Sequence, residues 1–220
     1  MRKKLREFLW EWAKPLLIVV AIMAPLRSVV ADWNDVPSGS MMPTILVGDR
    51  IWVNKLAYDL KVPFSTVHLA TWSNPQRGDI IVFRSPVDGK RLVKRVAAAS
   101  GDVIEMRNDR LFINYQPAEY ERVYSSSVNT TLVLSETVSG KTHPVMIEPQ
   151  KSALRSFGPV RVPEGRYFAM GDNRDSSFDS RYFGFVSRDS IIGRTTMVAM
   201  SFDREHHWRP RFGRFLQNLL

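Results

Sequence analysis

The chain has 220 residues, of which 44% are apolar and 24% charged, with a formal net charge of +9. This length and composition are typical of a globular domain with a sizeable core, and they exclude wholesale disorder. Cysteine is absent, which excludes disulfide scaffolds, Cys-ligated zinc, iron–sulfur clusters and thiol nucleophiles. Residues 1–14 and 204–220 each carry a net charge of +3. Basic ends around a nearly neutral middle favour a membrane surface over nucleic acid, whose binders carry a basic stripe through the fold.

An apolar segment follows the basic N-terminus. Residues 15–31 contain a single charge, Arg27, and as a helix they would reach about 26 Å, slightly short of a roughly 30 Å hydrocarbon core. The positive residues before the segment predict a cytoplasmic N-terminus and export of everything after residue 31. The alternative is a cleavable secretory signal with residues 15–26 as its apolar region. Arg27 lies just before the cleavage position, which favours one retained transmembrane helix.

Short β-branched and aromatic runs dominate the chain after residue 48, and Gly, Pro, Asn, Asp or Ser separate most of them. No long stretch there has the 3.6-residue period of a helix. The sequence therefore predicts a mostly β, antiparallel fold. We expect a main β domain over residues 32–107 and 163–203, an inserted smaller β subdomain over 108–162 and a basic tail over 204–220. The predicted strands are residues 50–54, 79–84, 91–97, 102–107, 110–114, 132–138, 145–148, 166–170 and 191–202.

Common catalytic and ligand-binding motifs are missing from the sequence. No serine lies in a G-x-S-x-G elbow, and neither H-E-x-x-H nor a nucleotide-binding fingerprint is present. The acidic residues 172–179 lack the glycine and the closing glutamate of a calcium loop. The sequence accordingly predicts neither a metal nor another cofactor.

Residues 37–44, Pro-Ser-Gly-Ser-Met-Met-Pro-Thr, form the first stretch of chemical interest. Ser38 and Ser40 flank Gly39, so that the backbone can bend tightly and present Ser40 with a free amide behind it. The stretch is also typical of an ordinary loop before a proline. On its own it does not identify a site.

Residues 91–97 form the second stretch. As a strand they place Lys94 on the same face as Leu92 and Val96, and Val93 on the other face. Desolvation on an apolar face lowers the pKa of a lysine. A shift of two to three units costs about 3–4 kcal/mol and turns the amine into a usable general base. The alternative is a lysine whose stem lies at a strand edge with its ammonium in water.

Residues 171–182 form the third stretch, in which acids, an amide, hydroxyls and arginines are mixed. The mixture favours a partly buried polar network in which Asp–Arg pairs hold hydroxyls at fixed positions. Asp179 with Arg181, and Ser177 near a base, is the arrangement that we expect.

Together these stretches resemble the boxes of bacterial type I signal peptidase, a family of membrane-bound serine proteases with a Ser-Lys dyad. The matching segments, in the same order and spacing, are residues 38–44, 77–83, 94–102 and 171–181. The resemblance covers residues 15–107 and 166–200 well and the insert only loosely. Two features depart from the family: Ala98-Ala99-Ser100 stand where a Gly-x-Pro is usual, and the chain has room for one membrane span where some members have two. The departures leave the substrate repertoire open.

The resemblance implies a role for each matching position. Ser40 is the implied nucleophile, Lys94 its general base, and the Ser38 hydroxyl with the Ser40 amide the implied oxyanion hole. The residues implied to orient Lys94 and to stabilise its network are Ser177, Asp179 and Arg181. The residues implied to line shallow pockets for small side chains at −1 and −3 are Val36, Pro37, Met41, Ile45, Leu92 and Val93.

The implied activity is removal of signal peptides from exported preproteins after Ala-x-Ala-like ends, without metal or nucleotide. The implied partners are those signal peptides and the lipid bilayer. The implied localisation is the bacterial inner membrane, with one transmembrane span, a cytoplasmic N-terminus and the catalytic domain on the outer, periplasmic face. Two alternatives stay open: a specialised processing peptidase for a single exported substrate, and a catalytically silent, membrane-tethered binding domain.

Overall fold

The structure is a computed structural model that describes residue 10 and residues 12–19, 30–62, 65, 67–125, 131–204 and 206–219. Residues 12–19 are helical, whereas residues 20–29, most of the predicted anchor, lie outside the described residues. Among the described residues no helix has the length and apolar character needed to cross a bilayer. Ala31, the last residue of the predicted anchor, is also the first residue of a strand and pairs with Asn54.

The prediction of a mostly β, antiparallel fold is confirmed, since every strand pair of the described chain is antiparallel. The strands are β1 (Ala31–Asp35), β2 (Asp49–Asn54), β3 (Asp59–Lys61), β4 (His68–Thr71), β5 (Ile80–Arg84), β6 (Arg91–Ala98), β7 (Val103–Arg107), β8 (Arg110–Ile113), β9 (Gln116–Pro117), β10 (Glu119–Ser125), β11 (Leu132–Val138), β12 (Lys141–Ile147), β13 (Phe157–Arg161), β14 (Arg166–Met170), β15 (Val186–Ser187), β16 (Ile191–Asp203) and β17 (Arg209–Pro210). The short helices are Lys55–Ala57, Arg174–Ser176, Ser180–Phe183, Arg188–Ser190 and Phe212–Arg214.

The largest sheet has eight strands in the order β1-β2-β16-β5-β6-β14-β15, with β17 paired to β16. Its central strand β5 is buried on both faces, which explains its uninterrupted apolar run. Ile80 and Val82 pack into a first core with Val36, whereas Ile81 and Phe83 pack into a second core on the other face. The sheet is therefore the middle layer of the main domain.

Two smaller sheets are built from the middle of the chain. One has the order β13-β7-β8-β9 and the other the order β10-β11-β12, while β3 and β4 form a separate hairpin. The boundary predicted at residue 108 falls inside the first of these sheets, because β7 pairs with β8. Strand β12 also begins earlier than the predicted 145–148 segment, at Lys141.

The basic C-terminus is part of the main domain along its described residues, although the sequence treats 204–220 as a separate tail. β17 pairs with β16, and Leu219 is 8% exposed in the first core. The fold thus places residues 211–219 beside the segment that precedes β2.

Candidate active site

Ser40 lies in the loop between β1 and β2. The Met42 amide donates to the Gly39 carbonyl at 3.1 Å, and the Ile45 amide donates to the Met41 carbonyl at 2.9 Å. The side chains of Met41 and Ile45 are buried in the first core, whereas Ser40 is half-buried. The apolar side chains therefore hold the loop while the serine stays at its surface.

Lys94 lies in the middle of β6, opposite Ile81 of β5, and is 3% exposed. Its Nζ lies 2.6 Å from Ser40 Oγ and donates to it. Burial lowers the pKa of Lys94 to about 8, although the charges of Asp179 and Asp172 act to raise it. At that pKa about one lysine in ten is neutral at pH 7, so the pair has the geometry and the protonation range for general-base chemistry.

Asp172 forms a buried ion pair beside Lys94. Arg95 donates to its two carboxylate oxygens at 2.9 and 2.7 Å, and the Thr44 hydroxyl donates to it at 2.5 Å. Burial acts to raise the pKa of Asp172, but the charge and hydrogen bonds of Arg95 outweigh it and the pKa is lowered. The carboxylate thus stays ionised and connects β6 to the loop that carries Ser40.

Asn173 holds the Ser40 loop directly. Its backbone amide donates to the Ser40 carbonyl at 3.1 Å, and its side-chain amide donates to the Gly39 carbonyl at 3.2 Å. Sequence reasoning placed Asn173 in the third stretch without giving it a role. Its position two residues after Gly171 in that mixed polar run is the only signal that could have singled it out.

Asp179 and Arg181 form the pair that the sequence predicts. Arg181 donates to Asp179 from Nε at 2.9 Å and from Nη2 at 2.8 Å, and the Gly171 amide donates to the same carboxylate at 3.0 Å. Both side chains are fully buried. Burial acts to raise the pKa of Asp179, but Arg181 outweighs it and the pKa is lowered. The pair closes the 171–181 segment into a rigid loop.

Ser177 reaches the site but makes no hydrogen bond to Lys94. Its hydroxyl is buried beside Gly171, where a Cβ would overlap both that hydroxyl and the Ser40 carbonyl oxygen. A glycine is therefore required at position 171 because a side chain would not fit. The backbone conformation is not the reason, since its φ lies outside the left-handed region. The predicted role of Ser177 in orienting Lys94 stays a prediction.

The residues predicted to line substrate pockets are divided between several environments. Val36, Met41 and Ile45 are buried in the first core, with Val93 packed against it. Leu92 packs against the second core. Pro37, by contrast, is exposed, and so is Ser38 of the predicted oxyanion hole. Leu92 lies on the same face of β6 as Lys94, whereas Val93 lies on the opposite face, and the predicted lining stays a prediction.

The inserted sheet is attached to the site through a buried ion pair that sequence reasoning missed. Glu136 of β11 accepts from Arg174 at 2.8 and 2.5 Å, and both side chains are at most 3% exposed. The Met146 amide of β12 also donates to the Asp172 carbonyl at 2.8 Å. Burial acts to raise the pKa of Glu136, but Arg174 outweighs it and the pKa is lowered. Within the described residues, no group of three or more acidic or histidine side chains is placed to hold a metal ion.

Comparisons with known proteins agree on one family. Residues 9–200 match the family model described as signal peptidase, peptidase S26. The chain is 36% identical over 207 residues to a signal peptidase I of Pseudomonas fluorescens, covering 87% of this chain and 72% of the relative. It is 33% identical over 219 residues to a signal peptidase I of Pseudomonas aeruginosa, covering 93% and 77%. A solved signal peptidase I from Enterococcus faecalis V583 matches 56% of this chain and 98% of its own, at 35% identity and a TM-score of 0.36.

These matches define a serine endopeptidase, a hydrolase of peptide bonds. The chain belongs to the type I signal peptidase family, peptidase S26, whose members remove signal peptides from preproteins.

Proposed function

We propose that Ser40 and Lys94 are the nucleophile and the general base of this signal peptidase. The observation that carries the proposal is the 2.6 Å distance between Lys94 Nζ and Ser40 Oγ, in surroundings that bury the amine. A serine hydroxyl is a weak nucleophile until a neighbouring base takes its proton. A buried lysine with a pKa of about 8 is such a base, since its neutral form is accessible near neutral pH.

The reaction then proceeds in two half-reactions. Neutral Lys94 accepts the proton of Ser40 Oγ as the oxygen attacks the scissile carbonyl, and the Ser38 hydroxyl and the Ser40 amide stabilise the resulting oxyanion. Such donors contribute about 3–4 kcal/mol in a comparable hydrolase. Protonated Lys94 returns the proton to the leaving amine, which releases the mature protein and leaves an acyl-enzyme. Water, deprotonated by Lys94, hydrolyses that ester and releases the signal peptide.

The supporting network fixes the dyad from two directions. The Asp172–Arg95 pair and Asn173 hold the segment around Ser40, while Asp179 with Arg181 closes the loop that contains Ser177. In this proposal Ser177 orients Lys94 when substrate excludes water from the site. The pockets for small residues at −1 and −3 are lined by Val36, Pro37, Met41, Ile45 and Val93. Leu92 completes the proposed lining, since it lies on the same face of β6 as Lys94.

Residues 15–31 serve in this proposal as a single-pass anchor in the bacterial inner membrane, with a cytoplasmic N-terminus and the catalytic domain on the outer face. The sequence supports this through its apolar run after a basic N-terminus. Ser40 follows residue 31 by nine positions, so it lies within about 30 Å of the end of that run. A signal peptide is cut just past its own apolar stretch, and enzyme and scissile bond therefore meet at one membrane surface.

The test is cleavage of a model preprotein with an Ala-x-Ala site by the full chain in liposomes, between pH 6 and 10. We expect Ser40→Ala and Lys94→Ala to abolish cleavage, and the wild-type rate to rise with a midpoint near the pKa of about 8. Lys90→Ala is the matched control, because Lys90 is an exposed lysine next to β6. Normal cleavage by Lys94→Ala would contradict the mechanism. A wild-type protein that cuts only one natural preprotein would indicate a specialised peptidase, and one that binds signal peptides without cutting would indicate a silent binding domain.

A further inference from the structure

The last residues of the described chain run along the main sheet behind the Ser40 loop. After β17 the chain returns to β16, where the Val198 amide donates to the Gln217 carbonyl at 2.9 Å. The Leu219 amide donates to the Thr196 carbonyl at 2.8 Å. These hydrogen bonds attach the C-terminus along a strand that also pairs with β2.

Two arginines of this segment bind the backbone that follows Ser40. Arg214 donates from Nη2 to the Thr44 carbonyl at 3.0 Å and to the Asp49 carboxylate at 2.7 Å. Arg211 donates to the Val47 carbonyl at 2.9 Å. Asp49, the first residue of β2, is fully buried and also accepts from the Leu46 amide, so Arg214 compensates a buried charge where the loop ends.

Leu219 contributes the apolar part of the same contact. It is 8% exposed and packs in one cluster with Val36, Met41 and Ile45. These three residues belong to the proposed substrate pockets. Leu219 therefore lies in the layer behind the pocket lining, where its volume limits how far the lining can move outward.

Thr44 connects these contacts to the catalytic network. Its carbonyl accepts from Arg214, and its hydroxyl donates to Asp172 at 2.5 Å. Thr44 lies four residues after Ser40, so the loop is held on one side by the C-terminus and on the other by the Asp172–Arg95 pair. Removing either support frees the segment on which the position of Ser40 depends.

We propose that residues 211–219 form a strap that fixes the Ser40 loop and the pocket lining from behind, with Arg214 and Leu219 as positioning residues. This inference rests on the proposed role of Ser40 and concerns how that serine is held. Neither positioning residue touches the reacting atoms. Their effect on the reaction passes through Thr44 and through the side chains of Val36, Met41 and Ile45.

The first experiment compares Arg214→Gln with wild type in the full chain in detergent, well below the melting temperature of each protein. We expect kcat to fall about tenfold or more, because a displaced nucleophile loses near-attack geometry, while KM changes much less. Arg209→Gln is the matched control, since it removes the same charge from an exposed side chain of β17, just before the strap. Arg214→Lys should have a kcat between those of Arg214→Gln and wild type. Its ammonium can pair with Asp49, but it lacks the planar guanidinium that also donates to the Thr44 carbonyl. It also replaces Arg214→Gln if that variant does not fold.

The second experiment measures a ratio that does not depend on the folded fraction. Two preproteins that differ only in alanine or leucine at position −3 are cleaved by the same preparation of each protein. We expect Leu219→Ala to raise the relative kcat/KM for the leucine substrate about threefold or more, because the pocket lining gains room behind it. Arg209→Gln should leave the ratio at its wild-type value.

Ser40→Ala in the same assays separates the two proposals. If it still cleaves, the proposed dyad fails. If it is inactive while Arg214→Gln keeps the wild-type kcat and Leu219→Ala keeps the wild-type ratio, the dyad stands and the strap is overturned.

Discussion

Replacing Lys94 by methionine is expected to stabilise the protein while it abolishes cleavage. The lysine is 3% exposed, and its pKa is lowered from 10.5 to about 8 because burial penalises the ammonium. Methionine has a similar length and carries no charge, so the folded protein no longer buries a cation. The predicted gain in the free energy of unfolding follows from this difference in pKa between the unfolded and folded chains.

The magnitude depends on pH in a definite direction. A pKa lowered by about 2.5 units corresponds to about 3.4 kcal/mol. Below pH 8 the lysine is protonated in both states and nearly the whole cost is present, about 3 kcal/mol at pH 7. Between pH 8 and 10.5 the unfolded state binds more protons, so wild-type stability rises and the cost falls below about 1 kcal/mol at pH 10. The lost hydrogen bond to Ser40 offsets about 1 kcal/mol at either pH.

The assay is urea unfolding of both proteins in detergent, followed by tryptophan fluorescence at pH 7 and pH 10. The difference in unfolding free energy between Lys94→Met and wild type should shrink by about 2.5 kcal/mol from pH 7 to pH 10. Lys90→Met, at an exposed position in the same hairpin, serves as the control. Its difference in unfolding free energy from wild type should be nearly the same at pH 7 and at pH 10. A Lys94→Met difference that is equal at the two pH values would refute the reasoning, because burial would then not lower the pKa of the lysine.

Two further predictions concern the surroundings of the dyad. Gly171→Ala should reduce cleavage about 100-fold or more, because the new Cβ overlaps the Ser177 hydroxyl and the Ser40 carbonyl oxygen. Gly158→Ala is the control and should keep the wild-type rate, because its Cβ meets nothing within 4 Å. Equal cleavage rates for the two variants would contradict the close packing around Gly171. Glu136→Gln should lower the unfolding free energy at pH 7 by about 3 kcal/mol, since it breaks a buried ion pair. The pKa of Glu136 is lowered from 4.5, so its stabilisation is present above pH 4.5 and is lost on acidification. Urea unfolding should therefore show a shallower loss of stability below pH 4.5 in Glu136→Gln than in wild type, and parallel curves would count against the buried pair.

The strands that the sequence predicts are those whose own residues favour a half-buried sheet. The sequence predicts a strand over residues 91–97 and Arg91–Ala98 is observed, because the segment contains Leu92, Val93 and Val96 and neither glycine nor proline. The strands that it misses lie at edges. Ala31–Asp35 is mostly polar, and Phe157–Arg161 contains Gly158 and a proline and pairs irregularly. Their partners, rather than their composition, make them strands.

In the candidate site too, some residues could be predicted from the local sequence, whereas others are defined only by distant partners. Ser40, Lys94 and the Asp179–Arg181 pair could be named from local patterns and from a resemblance. Glu136 could not, because it lies in a half-polar strand and its partner Arg174 follows 38 residues later. Leu219 carried no signal either, since a leucine after a basic stretch is equally typical of an unattached end. Contacts between distant segments depend on the closed fold and leave little trace in one sequence.

The side chains that contact the Ser40 loop come from residues much later in the sequence. Lys94 follows Ser40 by 54 residues, Asn173 follows Gly39 by 134, and Arg214 follows Thr44 by 170. A ribosome delivers the serine first and these partners afterwards, the tail last of all. The nascent chain therefore lacks these contacts to the Ser40 loop until β6, the 171–181 segment and the 211–219 segment have each been synthesised.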